Sequence, residues 1–226
     1  MVSDGGGAEV IDVLLVDDEA LVRAGLRLIL STAEDLAVVG EAPDGVAALE
    51  AVRSLRPAVV LMDLRMPRMD GLAATAAIRA LPDPPAVVVL TTFDTDDAVF
   101  RALETGATGF LLKDTPPPEL LRAVRLAAAG DAMLSPAVTR RVIDRYTAED
   151  RTARRRTALD RLDALTDRER EVLIEIGNGH ANATIAATLH MSEATVKTHV
   201  THLFDKLAAT NRVQLAIAAF RAGLVD

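Results

Sequence analysis

Five polar side chains in the first half of the chain follow short runs of β-branched and aliphatic residues. Val10–Val16 runs into Asp17 and Asp18, Ala58–Met62 into Asp63, Ala86–Thr91 ends in Thr91, and Thr108–Leu112 runs into Lys113. Carboxylates gathered at neighbouring strand ends repel one another unless a cation sits between them. Oxygen-only ligands suit Mg²⁺, which accepts one or two carboxylates and phosphate oxygens and keeps several waters. The Thr91 hydroxyl and the Lys113 ammonium add a donor and a positive charge. The set makes a pocket for a phosphoryl group carried by one carboxylate. Asp63 is the lone acid at its strand end, and Pro67 and Gly71 fix the loop that follows it. Taken singly, Asp63 reads as a turn or cap residue, Asp17 and Asp18 as caps of the next helix, and Lys113 as a solvated lysine. Their joint placement at the ends of four strands is what those readings leave unexplained.

The elements that must position them alternate. Between the strand-like runs, which include Leu36–Gly40, lie helical patterns at Glu19–Leu30, Gly45–Leu55, Gly71–Ala80, Asp96–Thr105 and Pro118–Ala129. Continuous apolar strands imply a sheet buried on both faces, hence a parallel sheet covered by helices. Five such units predict an α/β doubly wound, five-stranded parallel fold, flavodoxin-like, whose ligands bind beyond the carboxyl ends of the strands.

Val-Asp-Asp-Glu, Met-Asp-Leu-Arg-Met-Pro-Arg-Met-Asp-Gly, Leu-Thr-Thr-Phe-Asp and Gly-Phe-Leu-Leu-Lys-Asp resemble, in order, the motifs of the receiver domain of two-component response regulators. The resemblance implies that Asp63 accepts phosphate from a sensor histidine kinase, and that Asp18 and Asp63 bind Mg²⁺ directly and Asp17 mostly through water. It implies that Thr91 and Lys113 contact the phosphoryl group, and that Phe110 is the switch aromatic that turns inward as Thr91 moves. Read by itself, Phe110 is a core or edge residue of its strand. A phosphatase of the haloacid dehalogenase type also uses an aspartyl nucleophile, but it needs an acid two residues later, where this chain has Arg65.

From Leu165 the pattern becomes helical. Thr166 with Glu169 three residues on is a capping box, and Gly177-Asn178-Gly179 closes that helix. A short helix over Asn182–Leu189 and a third from after Ser192 to about Leu207 make a helix-turn-helix. At about 100° per residue, Val196, Val200, Leu203 and Leu207 share the inner face of the third helix. Its outer face carries Ala194, Thr198 and Thr201, flanked by Lys197 and His202. Such a face is either solvated or laid in a major groove, where its side chains reach base edges and phosphates. A last helix runs from Asn211 to about Ala222.

Leu-Thr-Asp-Arg-Glu-Arg-Glu-Val-Leu, Ile-Ala-Ala-Thr-Leu, Ser-Glu-Ala-Thr-Val-Lys-Thr-His-Val and Lys-Leu-Ala-Ala-Thr-Asn-Arg-Val-Gln resemble the LuxR-type DNA-binding domain. The two resemblances together imply a response regulator of the NarL/FixJ subfamily. They assign DNA contact to Thr195, Lys197, Thr198, Thr201 and Lys206. Thr184 and Ala208 depart from the pattern, which usually has glutamate and glycine there.

Composition agrees with two small domains. The chain has 226 residues, half of them apolar, and no cysteine, which excludes disulfides and thiolate sites. Five Phe, one Tyr and no Trp argue against a single-strand binder that stacks bases on rings. No run is long and apolar enough for a membrane helix and the N-terminus lacks a secretory pattern, so a cytoplasmic protein is expected. Net charge is −10 over residues 1–137, +4 over 138–161 and −2 over 162–226. The expected organisation is a disordered tail at 1–9, a receiver at 10–130, a linker with a helix (Pro136–Tyr146) at 131–161 and a DNA-binding domain at 162–226. The expected function is a non-enzymatic phosphoacceptor with Mg²⁺ as its cofactor, which takes part in its own phosphotransfer and slow autodephosphorylation. Phosphorylation would promote homodimerisation and binding of double-stranded promoter DNA, with RNA polymerase as a further partner. The alternative is an orphan regulator that binds DNA independently of phosphorylation.

Overall fold

A computed structural model describes residues 10–92, 101–131, 133–134 and 164–225 of the chain. The tail at 1–9, the first half of the helix expected over Asp96–Thr105 and the one over Pro136–Tyr146 lie outside the described residues. The chain divides into two compact units, Met1–Thr92 with Leu111–Ala128 and Phe93–Phe110 with Ala129–Asp226.

The strands are β1 (Ile11–Val16), β2 (Leu36–Ala42), β3 (Val59–Met62), β4 (Ala86–Thr91), β5 (Gly109–Leu112) and a two-residue β6 (Met133–Leu134). They form one sheet in the order β2-β1-β3-β4-β5-β6, and the registers of β1 with β2 and β3, β3 with β4 and β5 with β6 are parallel. The order reverses between β1 and β3, which opens the crevice at their carboxyl ends. Continuous apolar runs became the central strands: every residue of β3 is buried, and so are Val13–Val16 of β1. β6 departs from the expected five strands. It pairs Met133 with Gly109 and Phe110 with Leu134, and so continues the ladder at a strand edge that would otherwise be open.

The first unit also holds α1 (Ala20–Leu30), α2 (Gly45–Leu55), α3 (Gly71–Arg79) and α4 (Pro117–Ala128). Asp44 caps α2, accepting from the amides of Val46 and Ala47, and Asp70 caps α3, accepting from Ala73. Leu14, Val16, Val60, Met62, Ala74 and Ile78 pack into one core cluster that fixes α3 beneath the end of β3.

The second unit holds α5 (Asp167–Gly177), α6 (Asn182–Leu189), α7 (Glu193–Leu207) and α8 (Arg212–Arg221). The capping box forms as expected: the Glu169 amide donates to Thr166 Oγ1, and Glu169 Oε2 accepts from the Thr166 amide at 2.8 Å. Val172, Leu173 and Ile176 of α5 pack with Ile185, Val196, Val200, Leu203, Leu207 and Leu215 into one buried core. Arg212 Nη1 donates to Asn182 Oδ1 at 2.8 Å and its Nη2 donates to the His180 carbonyl at 2.6 Å. This ties α8 to the start of α6, while Thr184, at the departure from the family pattern, is exposed.

Candidate functional site

β1 and β3 deliver the acids. Asp17 and Asp63 are 1 % and 6 % exposed, whereas Asp18 faces solvent. The Asp63 amide donates to the Val16 carbonyl at 2.8 Å, which locks the two strand ends together. Asp17 Oδ1 accepts from the Glu19 amide at 2.9 Å, so Asp17 also serves the turn into α1. One oxygen from each of Asp17, Asp18 and Asp63 lies within 4.8 Å of the others.

Behind Asp63 the chain turns on Gly71. A Cβ at that position would stand 1.9 Å from the Asp63 carbonyl oxygen, so only glycine permits this approach. The Gly71 amide donates to the Leu64 carbonyl at 3.0 Å and closes the loop.

Lys113 follows β5 and bridges the acids. Its Nζ lies 2.6 Å from Asp17 Oδ2 and 3.4 Å from Asp63 Oδ2. Its amide donates to the Thr91 carbonyl at 2.9 Å, which brings Thr91 to the same end of the sheet. The Thr91 side chain is buried. Burial raises the Asp63 pKa, Lys113 pulls it down and the neighbouring Asp17 charge pushes it up; the outcome is above the usual carboxylate range. Burial works against the Lys113 charge, but the bond to Asp17 and the charges of Asp63 and Asp17 raise its pKa overall. One ammonium against three carboxylates leaves excess negative charge, so the donor set fits a divalent cation held by oxygen. Phe110, in the second unit, is fully buried.

The second candidate site is the outer face of α7. Ser192 caps this helix, accepting from the Thr195 amide at 3.1 Å, and its hydroxyl is 2.8 Å from Thr195 Oγ1. Thr195, Lys197, Thr198 and Thr201 are exposed. Thr198 Oγ1 donates to the Ala194 carbonyl and Thr201 Oγ1 to the Lys197 carbonyl, both at 3.1 Å. With their protons turned back into the helix, both hydroxyls offer acceptors outward, and Lys197 supplies the donor on that face. Lys206 is placed differently. Its Nζ donates to Glu169 Oε2 at 2.7 Å, so it braces α7 against α5. Helical spacing placed Lys206 near the groove end of the helix but carried no sign of a partner 37 residues away.

Comparison with known proteins identifies both parts. Residues 13–125 match the response regulator receiver domain, and residues 163–219 match the bacterial regulatory proteins of the luxR family. The transcriptional regulatory protein YxjL of Bacillus subtilis is 41% identical over 218 residues, covering 96% of this chain and 98% of its own. The nitrate/nitrite response regulator NarL of Escherichia coli is 38% identical, covering 91% and 93%. Among solved structures, the response regulator ChrA of a heme-sensing two-component system is similar at 38% identity and TM-score 0.52, covering 96% and 99%. The receiver domain of NarL from Mycobacterium tuberculosis is similar at 43% identity and TM-score 0.53, covering 54% of this chain and 98% of that one. A sheet ending in three clustered carboxylates, a capped helix-turn-helix and full-length relatives of one kind agree: the chain belongs to the two-component response regulators that join a receiver to a LuxR-type DNA-binding domain, the NarL/FixJ subfamily.

Proposed function

We propose that this transcriptional regulator is switched by phosphorylation of Asp63, with a sensor histidine kinase as donor, and that the phosphorylated form dimerises and binds double-stranded promoter DNA. The observation that carries the reading is the position of Lys113, within 3.4 Å of both Asp17 and Asp63 at the crevice end of the sheet. Asp63 attacks phosphorus through a carboxylate oxygen, and the bond from phosphorus to the donor group breaks. Lys113 is close enough to neutralise charge on the transferring group, and Thr91 lies at the same strand ends to report it. Asp17, Asp18 and Asp63 would hold Mg²⁺, which lowers the repulsion between the incoming phosphoryl oxygens and the acids. The protein is a phosphoacceptor that takes part in its own transfer, not an enzyme with an external substrate. Among the described residues no helix is long and apolar enough to cross a membrane, which accords with action on DNA in the cytoplasm.

On α7, Lys197 donates to base edges or phosphates, while Thr195, Thr198 and Thr201 lie beside it on the exposed face. A small contact set on a segment of net charge −2 gives one copy weak affinity. Two copies on an inverted repeat, with half-sites about one helical turn apart, add their phosphate contacts.

The test is treatment of the full chain with acetyl phosphate and Mg²⁺, followed by intact mass. A single phosphoryl adduct is expected, absent without Mg²⁺ and absent in Asp63→Asn. A persistent adduct in Asp63→Asn overturns the assignment.

A further inference from the structure

Glu169 does more than cap α5. It is 3 % exposed, and its Oε2 accepts from Lys206 Nζ, the Thr166 amide and Thr166 Oγ1. Burial disfavours its charge, but Lys206 and Thr166 outweigh burial and hold its pKa down at about 2. Its other oxygen, Oε1, faces His202 Nδ1 at 3.7 Å, beyond hydrogen-bond reach. One helical turn before His202 on α7, His199 has its Nδ1 buried with no hydrogen-bond partner among the described residues. A buried imidazole nitrogen left without a partner is destabilising, because it gives up its bond to water and gains none in return. One ring nitrogen of each histidine and a Glu169 oxygen all lie within 4.8 Å of one another.

We propose that Glu169, His199 and His202 form a divalent metal site, suited to Zn²⁺, that clamps α5 to α7. Two imidazoles and one carboxylate are a donor set zinc accepts, and imidazole disfavours Mg²⁺ and Ca²⁺. Bond lengths of about 2.0–2.1 Å in a tetrahedral site place the donor atoms about 3.3 Å apart, so the three groups close on the ion by small side-chain rotations. The Oε2 atom keeps Lys206 and Thr166, and Oε1 turns to the metal. The exposed His202 leaves the fourth position open to water. Zinc there offsets the −2 charge of residues 162–226 and fixes the groove helix on its neighbour. The site owes nothing to phosphoryl chemistry and shares no residue with the Asp17, Asp18 and Asp63 cluster.

The test uses the full chain carrying Asp18→Ala, which weakens the acidic cluster as a competing sink. Equilibrium dialysis against Zn²⁺ is expected to give one equivalent per chain, and Co²⁺ to give the visible absorption of a tetrahedral nitrogen-ligated ion. Adding His202→Ala, a change at an exposed position, lowers zinc affinity at least about tenfold, and His199→Gln does the same. An Asp18→Ala protein that takes up no zinc, or an affinity unchanged by His202→Ala, overturns the proposal.

Discussion

Lys113 Nζ stands closer to Asp17, at 2.6 Å, than to Asp63, at 3.4 Å. The ammonium therefore answers the innermost acid first, and Asp63 keeps a pKa above its ordinary value through burial and the Asp17 charge. That imbalance predicts stabilisation of the folded receiver by Mg²⁺. A ligand that binds only the native state adds RT ln(1 + [L]/Kd), about 2.7 kcal/mol at a hundredfold excess over Kd. The melting temperature should rise with Mg²⁺, fall back with EDTA and respond little in Asp18→Ala. Equal Mg²⁺ responses in both proteins would contradict the assignment of Asp18.

Glu41 predicts an acid-sensitive contribution to stability. The bond from Arg27 lowers its pKa most, burial opposes that effect, and Arg23 Nε adds a bond at 3.0 Å. The folded carboxyl thus titrates below the unfolded one, at about 4.3. The stabilisation is present above the unfolded value and is lost as pH falls through the folded one. Glu41→Gln should cost about 1 kcal/mol near neutral pH, with the gap to the parent shrinking toward zero in acid. A gap that does not change with pH, measured by urea unfolding, would contradict it.

Ala208 predicts a stabilising substitution. It ends α7 with φ 51° and ψ 40°, a left-handed conformation in which a Cβ is strained. Ala208→Gly should raise stability by roughly 0.5–1 kcal/mol, the relief of strain exceeding the added freedom of the unfolded chain. A loss of stability in thermal unfolding would show the turn to be unstrained.

These positions show how far the sequence alone was informative. The acids at the strand ends and the five parallel strands follow from period and position, because buried strands must be apolar and their carboxyl ends must carry the polar groups. The capping box at Thr166 is local, so four residues reveal it. What escaped was set by tertiary neighbours. Met133 and Leu134 are too short a run to read as a strand, and only an open edge beside Gly109 and Phe110 makes them one. The pairing of Lys206 with Glu169 joins two helices whose spacing in the chain carries no such signal. The hydroxyls of Thr198 and Thr201 bond four residues back, a spacing visible in the sequence, but which way the proton points is a property of the folded helix.

Lys197 predicts the loss on DNA. It is the exposed donor between hydroxyls whose protons are already spent on the helix. Lys197→Ala should weaken binding by about 1–3 kcal/mol and relax specificity at one base position. A uniform loss across sequences, with the salt slope reduced by about one, would place this lysine on phosphate. Unchanged affinity would remove it from the interface.

The most direct measurement is a footprint titration on a promoter carrying an inverted repeat, with the full chain before and after acetyl phosphate and Mg²⁺. Phosphorylation should lower the protein concentration needed for cooperative protection of both half-sites, and Asp63→Asn should stay at the unphosphorylated level. A single half-site protected by monomer, at the same concentration with and without phosphodonor, would contradict the account.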